Sequence, residues 1–126
     1  TKWEAVLTSF KTNATSPVQS VLKRATIDGL LMDTDFASAP AAGNMLWAFV
    51  ICSGATNITP TQSGWTEVYK VDFSQPGGGP TRHKTFAVYC RCYTAGDGQT
   101  SDGKTWRFEG TVPLAISVSL QEWTTG

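Results

Sequence analysis

The sequence predicts an all-β fold, an antiparallel β-sandwich of the jelly-roll type. Side chains alternate between apolar and polar with a period of two along several segments. No stretch carries a helical apolar stripe longer than a turn or two, and Gly, Pro, Asn and Ser punctuate the joints between the alternating segments. Short strands separated by such turn residues are typical of sandwiches and jelly rolls. No repeat or linker divides the chain, so we expect one domain over residues 1–126.

The N-terminal part of the chain has the weakest strand pattern. Residues 3–10 and 18–27 are rich in β-branched side chains and alternate roughly, and residues 30–36 form a third short candidate strand. Two interpretations of residues 1–40 therefore stay open. They either belong to the sandwich or form an N-terminal contact arm.

The later segments predict strands more clearly. Residues 45–52 are apolar at every position, which indicates a central strand covered on both faces, or one buried face with the other packed under a loop. The segments that follow alternate as half-buried strands do, with an apolar residue at every second position. They cover residues 65–73, 86–93, 106–109 and 114–121.

The five tryptophans indicate which surfaces are buried and which are available for contact. Trp47 lies in the fully apolar segment, and Trp65 and Trp106 lie in alternating strands, so we expect these three to be structural. Trp3 and Trp123, near the two ends, are the predicted interface residues. On a sandwich, exposed tryptophans are also the side chains that could stack on sugar rings.

A glycine-rich loop, Gly77-Gly78-Gly79 between two prolines, is the other candidate interface feature. It has no Lys-Ser/Thr pair and no following helical pattern, so it is not a phosphate-binding loop. We interpret it as an exposed loop, either a contact arm in an assembly or a plain hairpin tip.

Charge and hydropathy limit the classes of partner. Ten basic residues balance ten acidic ones, and duplex binding depends on surplus Lys and Arg, so nucleic acid is not an expected partner. No apolar run is long enough to span a bilayer, so no membrane partner is expected. The start at Thr1 favours a chain made in the cytoplasm whose initiator Met was trimmed; a mature chain left by signal cleavage is the alternative.

The cysteines do not form a metal-binding pattern. The odd number, at Cys52, Cys90 and Cys92, predicts free and mostly buried thiols from a reducing compartment. His83 with Cys90 and Cys92 lacks the spacing that presents two thiolates to zinc. Residues 97–103 lack the ligand pattern of a calcium loop. We therefore expect no metal and no cofactor.

No set of residues predicts catalysis. His83 is the single histidine, and no Gly-x-Ser-x-Gly elbow accompanies it. Asp33 and Asp35 share a face of a predicted strand, but such carboxylate pairs are usually just solvated. The sequence therefore predicts a binding or assembly domain and not an enzyme.

Four blocks of the sequence resemble a β-sandwich domain found in bacteriophage virion proteins. Residues 42–50, with Gly-Asn-Met-Leu, are similar to a strand that opens Gly-Asp-Leu-Leu in that family. Residues 58–66 resemble its Ile-Thr-Pro to Gly-Trp-Thr step, and residues 88–97 its strand ending Thr-Ala-Gly-Asp. Residues 106–108 resemble its Trp-x-Phe strand. These motifs shape turns and strands, and none of them carries an active site.

The resemblance implies a function in the virion. Such domains occur in capsid decoration proteins and in tail or fibre proteins that contact the host. A single domain is more similar to a decoration, or cement, protein that binds and stabilises the capsid exterior. We therefore expect a protein made in the host cytoplasm and located in the virion, bound to the major capsid protein or another virion protein. A homo-oligomer, a trimer included, is expected; a receptor- or glycan-binding tail module is the alternative.

Overall fold

The structure, a computed structural model, confirms the all-β prediction. It describes residues 15–27, 31–53, 58–74, 83–110 and 114–125. These ranges contain no helix, and so none that could cross a membrane. The strands are β1 Gln19–Ile27, β2 Leu31–Asp35, β3 Met45–Ser53, β4 Ile58–Pro60, β5 Thr66–Ser74, β6 His83–Cys92, β7 Thr105–Gly110 and β8 Leu114–Trp123.

The strands form two antiparallel sheets. One has five strands in the order β1-β8-β3-β6-β5, and the other has three in the order β2-β7-β4. The pairing is nested, because β1 pairs with β8, β2 with β7 and β3 with β6. A long hairpin wrapped around a sandwich gives this nesting, as in a jelly roll. Residues 19–35 therefore supply a strand to each sheet.

Strand β3 confirms the prediction of a central strand, but only one of its faces is buried along its whole length. It is the middle strand of the five-stranded sheet. Leu46, Ala48 and Val50 point to the core and are fully buried. Trp47 points the other way and is only 5% exposed. The same face is open at Ile51, which is 52% exposed, so the prediction that both faces are covered is wrong at this end of the strand.

The core lies between the two sheets. The three-stranded sheet contributes Trp106 and Phe108, both fully buried, as the sequence alternation predicts. Burying each such side chain stabilises the fold by roughly 1.5–3 kcal/mol. Tyr89 crosses from β6 and donates a 2.6 Å hydrogen bond to the Ile58 carbonyl, which ties the two sheets together. The five-stranded sheet adds Ile116, Val118 and Leu120 from β8.

Strand β5 departs from strict alternation. Alternation places Trp65, Tyr69 and Val71 on one face, but the ladder shifts register between Glu67 and Tyr69. Such a bulge sets two residues against one and reverses which side the later residues face. Trp65 consequently packs against the core, whereas the Tyr69 ring lies on the opposite side, 6.1 Å from that of Phe86.

A buried arginine ties two loops to the core. The Arg91 guanidinium lies 5.0 Å from the ring of Trp106 and 5.8 Å from that of Trp65. It donates to the Ser63 carbonyl at 2.5 Å and forms an ion pair with Asp97. The planar fork of arginine suits a site that needs stacking and several hydrogen bonds together.

Candidate interaction surface

The acidic pair of β2 is used within the fold. Arg107 donates through Nε to Asp33 Oδ1 at 2.7 Å and through a terminal nitrogen to Oδ2 at 3.0 Å. Asp35 accepts a 2.7 Å bond from the Thr105 hydroxyl. The hydrogen bond from Arg107 lowers the pKa of Asp33 below its ordinary value. Asp33 is therefore a stable carboxylate in the β2–β7 ladder and a poor proton donor.

In the loop over residues 97–103, both acidic side chains accept hydrogen bonds from nearby residues of the fold. Asp97 accepts from Arg91 and from the Thr94 backbone N–H. Asp102 accepts from the Thr100 hydroxyl at 2.6 Å and from the Lys104 backbone N–H at 3.0 Å. Such contacts stabilise a turn and explain these carboxylates without a cation. Across the residues with described positions, no three His, Cys, Asp or Glu side chains gather as metal ligands would.

The thiols are free, but most are not buried. Cys52 is buried, Cys90 is half-buried and Cys92 is exposed. The expectation of mostly buried thiols is therefore wrong for β6, where both cysteines point away from the core. Burial raises the pKa of the Cys52 and Cys90 thiols, which keeps them protonated and weakly nucleophilic. For His83, the structure describes only the backbone, at the start of β6.

The outer sides of the two sheets differ in character. On the three-stranded sheet, the Asp33–Arg107 pair, Asp35 and Glu109 make a charged surface. On the five-stranded sheet, the side turned away from the core, here called the outer face, is formed by side chains aligned in rows across the strands. One row is Leu22, Ser119, Phe49, Val88 and Tyr69, and the next is Arg24, Ser117, Ile51, Phe86 and Val71.

The outer face is apolar over β3 and β6. Val88 is fully buried there although it points away from the core. The rings of Trp47 and Phe49 stack 6.3 Å apart. Large apolar side chains on this face are open to solvent, with Ile51 of the middle strand 52% and Leu22 of the edge strand β1 55% exposed. Exposed apolar patches on a folded domain are typical of interaction sites.

A depression lies at one end of the outer face. It has a volume of about 490 Å³, and Ile51 and Ala115 form part of its lining. Arg24 of β1 and Lys84 of β6 contribute the positive charges, and the Lys84 ammonium donates a 2.7 Å hydrogen bond to the Ser53 hydroxyl. The outer face therefore combines an apolar surface with a basic depression.

The predicted interface residues only partly coincide with this surface. Trp123 ends β8 on the outer face, half-buried, with its indole N–H bonded to Gln121 at 2.9 Å. Trp3, Gly77, Gly78 and Gly79 lie outside the described residues. Sequence reasoning missed Leu22, Arg24, Ile51 and Lys84.

The missed residues come from strands far apart in the chain, and only the unbroken apolar run around Ile51 hinted at them. Comparison with known proteins does not extend the argument: the chain matches no family model, no curated protein and no solved structure. The function must therefore be argued from the geometry of the outer face and from the resemblance noted in the sequence.

Proposed function

We propose that this chain is a bacteriophage virion structural protein that binds the exterior of the assembled capsid as a decoration protein. The observation that carries the proposal is the contrast between the two outer sides of the sandwich. Exposed Ile51 and Leu22 lie on an apolar sheet, whereas the paired charges of Asp33 and Arg107 lie on the opposite one. A domain that rests on a protein lattice needs one side for the lattice and one for solvent.

Binding of this kind stabilises the capsid by mass action. A ligand that binds the assembled state and not the dissociated subunits shifts the equilibrium toward assembly. Burial of the apolar outer face would supply the driving force. The sequence resemblance to virion sandwich domains supports the choice of the capsid as the surface. The proposal includes a symmetric homo-oligomer on the capsid, for which a trimer is one arrangement.

The glycan-binding alternative has less support from the tryptophans. A stacking platform needs exposed aromatic rings. Trp106 is fully buried, Trp47 is 5% exposed, and Trp65 packs against the core. Trp123, the fourth tryptophan that the structure describes, lies at the end of β8 and is half-buried, so its ring is only partly available for stacking. The apolar sheet therefore favours a protein surface over a sugar.

The test is capsid binding with a matched pair of variants. Purified protein is mixed with capsids that lack it, and bound protein and capsid melting temperature are measured. We expect the protein to bind and to raise the melting temperature. Ile51→Asp should abolish both effects, whereas Leu31→Asp, at a 46% exposed residue of the other sheet, should leave them intact. A wild-type chain that leaves bare capsids unbound and unchanged would refute the proposal.

A further inference from the structure

Two cationic side chains, Arg24 and Lys84, line the depression on the outer face, and no acidic partner for them lies among the described residues. The only described hydrogen bond of the Lys84 side chain is to the Ser53 hydroxyl, and Arg24 is exposed. Neither forms an ion pair with any carboxylate that the structure describes. The chain as a whole has a formal net charge of zero, so this positive charge is local. A local field of one sign attracts and orients a partner of the opposite sign.

The described part of the outer face offers no acidic side chain to neutralise these two cations. None of its described side chains, in any of the five strands, is Asp or Glu. The acids of β5 point elsewhere, as Asp72 shows by accepting a 2.5 Å hydrogen bond from buried Thr85. A second copy that met this face symmetrically would bring Arg24 and Lys84 against a surface whose described side chains include no carboxylate. Unmatched like charges at an interface disfavour that contact.

We infer that the outer face binds a different protein, one that places an Asp or Glu side chain between Arg24 and Lys84 and covers Ile51 and Leu22 with apolar side chains. The inference rests on the proposed function and specifies the chemistry of the capsid surface that the domain contacts. The volume of about 490 Å³ lies within the range of roughly 300–1,000 Å³ typical of binding pockets. The Ser117 hydroxyl adds a hydrogen-bond donor for the carboxylate.

We expect an interface with an apolar centre and, at one end, an ion pair between the partner's carboxylate and the two cations of the depression. Arg24 is suited to this ion pair because a guanidinium can donate hydrogen bonds to both oxygens of a carboxylate. Since Arg24 is exposed, the pair would form at the margin of the contact, where salt screens it. Binding to capsids should therefore weaken as the salt concentration rises.

The experiment compares a charge reversal in the depression with one at Lys104, the residue before β7 of the other sheet. Arg24→Glu, Arg24→Gln and the control Lys104→Glu are mixed with capsids lacking the protein, and affinity is measured by sedimentation at several NaCl concentrations. We expect Arg24→Glu to lower the affinity by about tenfold or more. Arg24→Gln should lower it less and flatten the salt dependence, and Lys104→Glu should behave as the wild type. Urea unfolding of each variant confirms that it is folded.

The outcomes separate this inference from the proposed function. If Ile51→Asp abolishes binding while both Arg24 variants keep wild-type affinity and salt dependence, the acidic partner is refuted and the capsid-binding function stands. If the wild type does not bind capsids, the proposed function fails and the inference fails with it. If charge reversal of one capsid carboxylate restores binding of Arg24→Glu, the acidic partner residue is identified.

Discussion

The carboxylate of Glu122 accepts a 2.8 Å hydrogen bond from the side-chain amide of Asn44. Gln19 and the Ala41 backbone N–H also donate to Glu122, each at 2.8 Å. The carboxylate is 1% exposed, and all three of these donors are neutral. One buried acid therefore joins the first strand, the last strand and the connection before β3.

Glu122→Gln should destabilise the fold, because an amide offers one acceptor oxygen where the carboxylate offers two. We expect the free energy of unfolding to fall by about 1–3 kcal/mol, since at least one buried donor loses its acceptor. Urea titration measures the change. Glu109→Gln, at an exposed position, is the control and should change little. Equal effects of the two substitutions would contradict the structural role of Glu122.

Arg91→Lys should be more damaging than its conservative nature suggests. A lysine ammonium cannot stack between Trp65 and Trp106 and also reach Ser63 and Asp97. We expect a loss of about 1.5–3 kcal/mol in unfolding free energy, with a change in tryptophan fluorescence. Arg107→Lys, at a 30% exposed side chain, is the matched control. Its loss should be clearly smaller, because solvent screens the exposed pair, and a comparable loss in both variants would count against the buried site.

Thr34→Val should stabilise the protein. The Thr34 hydroxyl is buried and has no hydrogen-bond partner among the described residues. Valine has nearly the same shape, so the substitution removes a desolvated hydroxyl and should raise the unfolding free energy by about 1 kcal/mol. Thr85→Val is the contrasting variant, because that buried hydroxyl donates to Asp72 and its loss should destabilise. A lower melting temperature for Thr34→Val would show that the hydroxyl is satisfied.

The Asp33–Arg107 pair should contribute stability that is lost only in acid. Arg107 holds the pKa of Asp33 below the ordinary 3.8, so the folded state favours the charged form. The contribution is complete well above pH 3.8 and disappears as the pH falls through the lower pKa of the folded state. Because Asp33 is 37% exposed, we expect less than about 1 kcal/mol.

The measurement for this pair is the difference in unfolding free energy between wild type and Asp33→Asn across pH. It should stay constant from neutral pH down to about pH 5 and shrink toward zero at lower pH. A difference that grows as the pH falls would reverse the assigned sign. Added salt should reduce the difference at neutral pH, because exposed pairs are screened.

Local sequence patterns predicted where the strands lie, but they did not always predict which side chains of a strand face the core. The unbroken run around Trp47 predicted a central strand but overstated the burial of its second face, where Ile51 is 52% exposed, and the alternation from Ile116 to Leu120 predicted the core side of β8. Strand β6 shows the limit. Its core side carries Tyr89 and Arg91, because a hydrogen bond and a stacked ion pair satisfy their polar atoms.

The candidate site depends on contacts that no local pattern contains. Arg24 and Lys84 reach one depression because β1 pairs with β8, β8 with β3, and β3 with β6. Each of these pairings joins segments that are distant in the chain, and the local sequence of neither segment specifies its partner strand or its register. The β5 bulge was likewise invisible, because nothing in Glu67-Val68-Tyr69 marks the extra residue.

That bulge also governs how the chain can associate. Strand β5 is an edge of the five-stranded sheet, and an edge strand with free N–H and C=O groups invites strand addition by another molecule. An irregular edge resists such templating, and at the opposite edge β1 carries the adjacent charges Lys23 and Arg24. We therefore expect the molecule to resist polymerisation into fibres and to associate with its partners through the faces of its sheets.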